Sequence, residues 1–509
     1  MRIRRDTHSR RPARWLAGTC LVLAACAREA PRPNLVIVAL DTLRPDHLGC
    51  YGYERATSPG LDAFAAGAVV FEQAESPAPW TAPAMISLVT GLRPEAHGVF
   101  GFPNPGRLNE RAVTLAEVLS EHGYRTAAFT EGGYAKGEFG LDQGFEVFPA
   151  NPGDSLSNMS NVLDPSRLAG NLDRAIAWLA DRDDEPFFMF FHTYEVHGPL
   201  RAPAEYVRRF DPGWDPEVEH DRLAEVLARW TSTKKIDRAG ALLLRNHNFH
   251  CAVKPPPGIQ QYMHDHGLLP EDGSSFYSET LDFVRDQYDA EIAYTDASLE
   301  RLWQALRDRG LDERTVVVVV SDHGEALGEH GVVGHGSRHF SEQLRVVLIV
   351  RAPGIAPRRV SDPVSSLSVS ATALDLLGLP DAAPHGRSLA PLMRGAAAPP
   401  DEPALYSQGL SVEGGEERVV SMRQGRWRCI LDTETGTAQL YDLEADPEER
   451  HDLGPADPER ARALAAALTR QTELDRTVRR LESGEVTESQ LDDATIRELQ
   501  GLGYVDREE

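Results

Sequence analysis

Asn34-Leu-Val-Ile-Val-Ala-Leu-Asp41 is the stretch whose reading decides the fold. An unbroken apolar run of mostly branched residues, with no polar position alternating through it, fits a strand covered on both faces. Such strands belong to parallel sheets, whose crossover helices lie over each side. A carboxylate follows the run at once. Ligands of open α/β sheets sit beyond the carboxyl ends of the strands, so Asp41 is placed to be a ligand, although with Thr42 it equally suits a turn.

The same pattern recurs outward from there. A helix over Thr114 to His122, stopped by Gly123, leads into a strand at Thr126 to Phe129. An amphipathic helix over Leu168 to Ala180 precedes Pro186-Phe-Phe-Met-Phe-Phe191, a buried strand ending at His192. In the long helix Asp282 to Arg309, residues Tyr288, Ile292, Leu299, Leu302 and Leu306 recur at helical spacing, so one face packs on the sheet. It leads to Thr315-Val-Val-Val-Val-Val320, followed by Ser321-Asp322-His323-Gly324. A short helix from Pro59 to Gly67, a strand at Val69 to Phe71 and one more buried strand over Arg345 to Val350 complete the core. Strand and helix alternate, which predicts an α/β fold: a doubly wound, mostly parallel sheet flanked by helices.

A chain of 509 residues, 41% of them hydrophobic, holds one large domain of this kind and a smaller one. Its formal net charge of −25 argues against nucleic acid as a partner, since phosphate backbones are held by clustered Lys and Arg. An anionic substrate would then need local positive charge, most simply a metal ion. Residues 1–25 read as an export signal of the lipoprotein type. Arg2, Arg4, Arg5, Arg10, Arg11 and Arg14 form its basic region, and Trp15 to Ala25 an apolar stretch too short to span a bilayer. Leu23-Ala24-Ala25-Cys26 is similar to the lipobox of bacterial lipoproteins, which makes Cys26 the expected lipidation site and first mature residue. The expectation is a protein exported to the bacterial cell envelope (periplasm) and held to a membrane by that N-terminal lipid anchor. Beyond Cys26 only Cys50, Cys251 and Cys429 remain, widely spaced, and they imply no disulfide framework.

The catalytic domain is expected over residues 32–380, with an insertion at about 201–277 where periodicity breaks down around Pro255-Pro256-Pro257-Gly258. His247, His250, His264 and His266 fall in that insertion at spacings that match no ligand motif. Pro380 to Pro403 reads as a linker to a small C-terminal α+β subdomain over 403–475. Glu417 to Met422, Trp427 to Leu431 and Gln439 to Leu443 form its short antiparallel sheet, and Pro458 to Thr472 its helix. Residues 476–509 read as a polar helical tail.

The candidate nucleophile lies in Ser76 to Gly98, SPAPWTAPAMISLVTGLRPEAHG. Thr81 stands ahead of Pro83, which is tolerated in a first helical turn, and of an apolar helix that runs to Gly91. A hydroxyl at a helix N-terminus meets free backbone N–H groups and the positive end of the dipole, both suited to an alkoxide and a tetrahedral oxyanion. Taken alone, a threonine there equally reads as a helix cap.

In order along the chain, PNLVIVALDTLRPDHLGCYGY, the Thr81 segment with TGLRPEAHGV, GYRTAAFTEGGY with GLDQGFEVF, YDAEIAYTDASLERL, and VVSDHGEALGEHGVVGHG together resemble the sulfatase family of the alkaline phosphatase superfamily. The ending LYDLEADPEERHDL is similar to that family's C-terminal subdomain. The resemblance implies an alkaline phosphatase-like fold, a divalent metal bound by Asp41, Asp322 and His323, and Thr81 in the nucleophile position touching the metal. It also implies that His197 and His335 face the oxygens of the substrate. Such a mixed O/N ligand set suits Zn²⁺ or Mn²⁺, with Ca²⁺ or Mg²⁺ as alternatives. Thr42 matches a position that supplies a second metal carboxylate in typical sulfatases, and His335 with His339 are candidates to help hold a second ion.

The departure lies at the nucleophile. Sulfatases carry Cys or Ser followed by x-Pro-Ser-Arg, which is oxidised to formylglycine; here the stretch is Thr81-Ala82-Pro83-Ala84-Met85. Threonine carries a methyl on Cβ, so the same oxidation gives only a ketone. The family's Lys-x-His element is also missing, with Thr130-Glu131-Gly132-Gly133 in its neighbourhood. An unmodified threonine resembles the phosphodiesterase and phosphoethanolamine transferase branches of the superfamily. The leading expectation is therefore a metal-dependent hydrolase of small anionic phosphate esters or diesters. A sulfuric ester hydrolase without formylglycine, and a lipid-anchored binding protein with a decayed active site, are the alternatives.

Overall fold

The computed structural model describes residues 32–101, 104–149, 166–181, 185–198, 200–215, 278–336, 338–380, 382–383, 385–398, 404–409 and 419–485, with scattered positions between 225 and 235. The signal segment with Cys26, the four insertion histidines and the end of the tail lie outside the described residues.

Seven strands form the central sheet: β1 Asn34–Leu40, β2 Val69–Phe71, β3 Arg125–Phe129, β4 Phe187–Thr193, β5 Thr315–Ser321, β6 Leu348–Arg351 and β7 Arg358–Val360. Their order is β7-β2-β6-β5-β1-β4-β3. β1 runs parallel between β4 and β5, with Val38 opposite both Phe191 and Val319. The helices that cover the sheet are α1 Pro59–Ala66, α2 Thr81–Thr90, α3 Leu115–Glu121, α4 Ser166–Ala180, α5 Ser278–Asp308 and α6 Val369–Leu376. Alternate residues of β1 feed two cores. Leu35, Ile37 and Ala39 pack with α2, α3 and α6 on one face. Val36, Val38 and Leu40 pack with α1, α4 and α5 on the other. The continuous apolar run thus has its cause in a sheet that is covered twice.

Local signals set the element ends. Thr114 and Glu117 form a reciprocal capping box ahead of α3, at 3.2 and 2.9 Å. The run Arg345 to Val350, expected as one strand, is divided. Arg345–Val346 pairs antiparallel with Ala74–Glu75 in a separate small sheet. Val347 then exchanges bonds with Ser321, its N–H to Oγ at 2.8 Å and its carbonyl to the Ser321 N–H at 3.1 Å. Beyond it β6 runs antiparallel to β5 and β2. The chain leaves β5 at its carboxyl end and returns with no crossover helix between, so the next strand has to run back the opposite way.

The C-terminal sheet consists of β8 Leu405–Gly409, β9 Val419–Gln424, β10 Trp427–Asp432 and β11 Ala438–Asp442, all antiparallel. Met422, Cys429, Leu431 and Leu440 pack under α7, Pro458–Val478, through Ala461, Leu464 and Leu468. β8 reaches the segment ahead of Thr81. The Ser407 hydroxyl donates to the Ser76 carbonyl at 2.5 Å, and the Gln408 N–H to the Pro77 carbonyl at 2.8 Å. Among the described residues no helix is long and apolar enough to cross a membrane.

Candidate active site

Because β1 and β5 are parallel neighbours with Leu40 opposite Ser321, the residues just past their carboxyl ends converge. Asp41, Asp322 and His323 are all buried, and one ligand atom from each lies within 4.8 Å of the others. Thr81 joins them as the first residue of α2. Trp80 holds the cap position and no side chain caps the helix, so the capping alternative for Thr81 is not met. Instead the Thr81 hydroxyl lies 3.3 Å from Asp41 Oδ2 and 3.3 Å from His323 Nε2.

Backbone groups aim the ligand atoms inward. Asp322 Oδ1 accepts the N–H groups of His323 at 2.8 Å and of Thr42 at 3.2 Å, which leaves Oδ2 with no hydrogen-bond partner. Thr42 presents its N–H from a left-handed conformation, φ 56°, which costs a β-branched residue on the order of 1–3 kcal/mol. Its carbonyl accepts from the Tyr288 hydroxyl at 2.7 Å, and its own hydroxyl donates to the Asp41 carbonyl at 2.8 Å. Thr42 therefore acts on Asp322 through its main chain. His323 Nδ1 lies 2.9 Å from the Gly324 carbonyl, which can only accept, so the proton is on Nδ1 and the Nε2 lone pair faces Thr81 and the carboxylates.

The electrostatics of this group ask for a cation. Burial, and then the charges of Asp322 and Glu325, hold the Asp41 carboxyl well above its ordinary range. Burial pushes Asp322 up to about 7. Burial and then His335 hold His323 well below the usual imidazole range. Two acids made to keep protons, an imidazole made to stay neutral, and partnerless Asp41 Oδ1 and Asp322 Oδ2 fit a divalent ion. A raised carboxyl pKa means that the metal-free native state binds more protons than the unfolded chain, so its stability falls as pH rises from about 4 towards 7. Saturating divalent metal is expected to remove that fall and raise the melting temperature. In Asp322→Asn the metal-dependent shift should be lost, as scanning fluorimetry at pH 5 and pH 7.5 would show.

His197 and His335 stand beside the trio. His335 rests 4.4 Å from His323 and 4.9 Å from His197, ring centroid to centroid. His335 Nδ1 is 3.0 Å from Glu325 Oε2, whereas His197 Nδ1 donates to the Gly198 carbonyl. Burial and then His335 keep His197 well below its ordinary pKa. His339 does not join them; it is buried against the C-terminal sheet with Nδ1 3.0 Å from the Ser421 hydroxyl. Three neighbours of the site carried no role in the sequence reading: Glu325, Tyr194 and His192. Glu325 follows Asp322 and His323 closely enough to have been suspected. His192 closes a run of aromatic residues and gives no such signal.

The family model described as Sulfatase matches residues 33–379. Among known proteins the chain is similar to the choline-sulfatase of Rhizobium meliloti (strain 1021), 28% identical, with 84% of each chain covered. Human arylsulfatase A is 25% identical, over 90% of this chain and 91% of its own. Among solved structures, the phosphonate monoester hydrolase of Agrobacterium radiobacter superposes with a TM-score of 0.62 at 23% identity. That likeness covers 89% of this chain and 96% of that one.

Proposed function

Because the chain belongs to the sulfatase family of the alkaline phosphatase superfamily and is an ester hydrolase, we propose that it cleaves phosphate esters or diesters through an unmodified Thr81. The observation that carries the reading is the Thr81 hydroxyl, freed from any capping task and hydrogen-bonded to Asp41 and His323. Met85, where the family signature carries arginine, is buried in the apolar core beside Ile86 and Val89. Nothing at that position serves formylglycine chemistry.

Asp41, Asp322, His323 and the Thr81 hydroxyl would hold the metal, a set that favours Zn²⁺ or Mn²⁺ over Ca²⁺ or Mg²⁺. When bound, a divalent ion there supplies Lewis acidity, lowering the pKa of a hydroxyl and neutralising charge on the transferred group. The rest falls to the side chains. Thr81 Oγ1 forms the new bond to phosphorus as the ester oxygen leaves, and its proton passes to Asp41 Oδ2, 3.3 Å away. His335 suits the leaving oxygen, because Glu325 Oε2, 3.0 Å from Nδ1, fixes the ring and leaves Nε2 to pass the proton. His197, kept neutral by burial and with Nδ1 donating to the Gly198 carbonyl, suits the accepting role, holding a protonated oxygen in line. In the second half His335 takes a proton from water as it attacks the phosphothreonine, and the Thr81 oxygen regains the proton from Asp41.

A second reading, sulfuric ester hydrolysis by the same threonine, is favoured by the relatives named as sulfatases. The binding-protein alternative is dropped, since the chain belongs to an ester-hydrolysing family and keeps its ligand trio. The test loads the purified signal-free chain in turn with Zn²⁺, Mn²⁺, Mg²⁺ and Ca²⁺ and compares p-nitrophenyl phosphate, a p-nitrophenyl phosphodiester and p-nitrophenyl sulfate. We expect phosphorus ester turnover above sulfate by at least about tenfold in kcat/KM, roughly 1.4 kcal/mol of transition-state preference. A preference for sulfate would overturn the phosphate reading.

A further inference from the structure

His192 lies one residue before the end of β4, opposite Ala39 of β1, and its side chain is wholly buried. Its Nε2 is 3.3 Å from Asp41 Oδ2. Once Asp41 is ionised, as a metal ligand has to be, Nε2 carries the proton in that bond, while Nδ1 is buried with no partner. The strand sequence makes this residue unexpected. Phe187, Phe188, Met189, Phe190 and Phe191 ahead of it are all apolar and buried, and a phenylalanine in sixth place would leave no polar atom stranded. An unpaired buried ring nitrogen costs on the order of 1–3 kcal/mol, a cost that packing alone does not explain.

The backbone at this point is fixed from behind. Asn171 of α4 donates from Nδ2 to the His192 carbonyl at 3.0 Å and to the Phe129 carbonyl at 3.1 Å, tying β4 to β3. The imidazole is further held edge-on by Tyr194, with ring centroids 4.7 Å apart. Asp41 Oδ2 thus meets two fixed groups, His192 Nε2 and the Thr81 hydroxyl. Its other oxygen, Oδ1, is left partnerless 3.8 Å from His323 Nε2.

We propose that His192 is a positioning residue of the metal centre: its Nε2–H holds Asp41 by Oδ2 so that Oδ1 is presented to the ion. The inference rests on the reading of Asp41 as a metal ligand. Outer partners of metal ligands typically account for about 10–100-fold in metal affinity, and loss of this one is expected to fall in that range.

The test separates hydrogen bonding from packing by two substitutions that should rank in opposite orders. His192→Phe keeps the ring volume and removes the donor; His192→Gln loses the ring but places an amide N–H near the Nε2 position. Zn²⁺ affinity is measured by competition with a chromogenic chelator, alongside the visible spectrum of the Co²⁺ form and the melting temperature of the metal-free protein. Expected for His192→Phe is a loss of about 10–100-fold in Zn²⁺ affinity with an altered Co²⁺ spectrum, and for His192→Gln affinity within about threefold of wild type. Should His192→Phe fail to fold, His192→Asn, whose amide is too short to reach Asp41, takes its place in the comparison. Equal affinity in all variants, or a greater loss in His192→Gln than in His192→Phe, would overturn the proposal. Absence of stoichiometric Zn²⁺ from the wild-type chain would instead overturn the metal reading beneath it.

Discussion

Thr81→Ala is expected to lower kcat/KM by at least about 10³-fold, some 4 kcal/mol of transition-state stabilisation, while the melting temperature of the metal-free protein stays within a few degrees of wild type. The stability half follows from the helix end. The Thr81 hydroxyl caps nothing in α2, and its contacts to Asp41 Oδ2 and His323 Nε2 are long, at 3.3 Å each. The activity half follows because the Thr81 hydroxyl is the group set against two members of the metal-ligand trio, 3.3 Å from Asp41 Oδ2 and 3.3 Å from His323 Nε2. Thr81→Ser should keep activity within about tenfold, since it retains the oxygen and loses only a methyl. Acid quenching of the wild-type reaction should leave a phosphorylated peptide, found by mass spectrometry, that contains Thr81 and is missing from the alanine variant. Retained turnover in Thr81→Ala, or a labelled peptide elsewhere, would refute the nucleophile.

The reading of Thr81 shows where sequence stops being informative. β1 and β5 were legible because strands covered on both faces carry no polar interruptions, and Asp41, Asp322 and His323 were legible because they follow those strands directly. Parallel pairing of β1 with β5 then did the rest. What stayed hidden depends on partners far apart in the chain. His192 meets Asp41 across 151 residues, and within an aromatic run nothing marks its side chain as facing the site. The left-handed turn at Thr42 is equally silent in sequence, since glycine or asparagine, not a β-branched residue, signals such a backbone. The antiparallel course of β6 follows from which end of the sheet the chain had reached. The apolar composition of Arg345 to Val350 says only that it is buried.

The C-terminal sheet is legible in the sequence as three antiparallel strands, but its grip on the approach to Thr81 is not, and Arg428 tests what that grip does. Arg428 is 1% exposed in β10, yet its guanidinium reaches Glu75 Oε1 at 2.6 Å, both carboxylate oxygens of Glu449 at 3.0 and 3.1 Å, and the Ser341 hydroxyl at 3.1 Å. Arg423 adds a second contact to Glu75 at 3.0 Å. Against the cost of burial, these two guanidiniums hold Glu75 below its ordinary pKa. Glu75 adjoins Ser76, and Ser76 and Pro77 are the residues that β8 holds by their carbonyls. The network therefore fastens the approach to the nucleophile from two sides. Arg428→Met would leave Glu75 and Glu449 buried with too little positive charge, and breaking a buried pair in this way costs about 3–5 kcal/mol. We expect the variant to be destabilised by that amount in urea titrations. In it both carboxyl groups should be pushed upward, so the native state would bind extra protons and stability should recover as pH falls towards 5. Arg428→Met combined with Glu75→Gln and Glu449→Gln should regain most of the loss, because replacing an entire buried ion group costs far less than orphaning part of it. If Arg428→Met alone were as stable as wild type, the network would be a passenger and the approach to Thr81 would be held by the β8 hydrogen bonds alone.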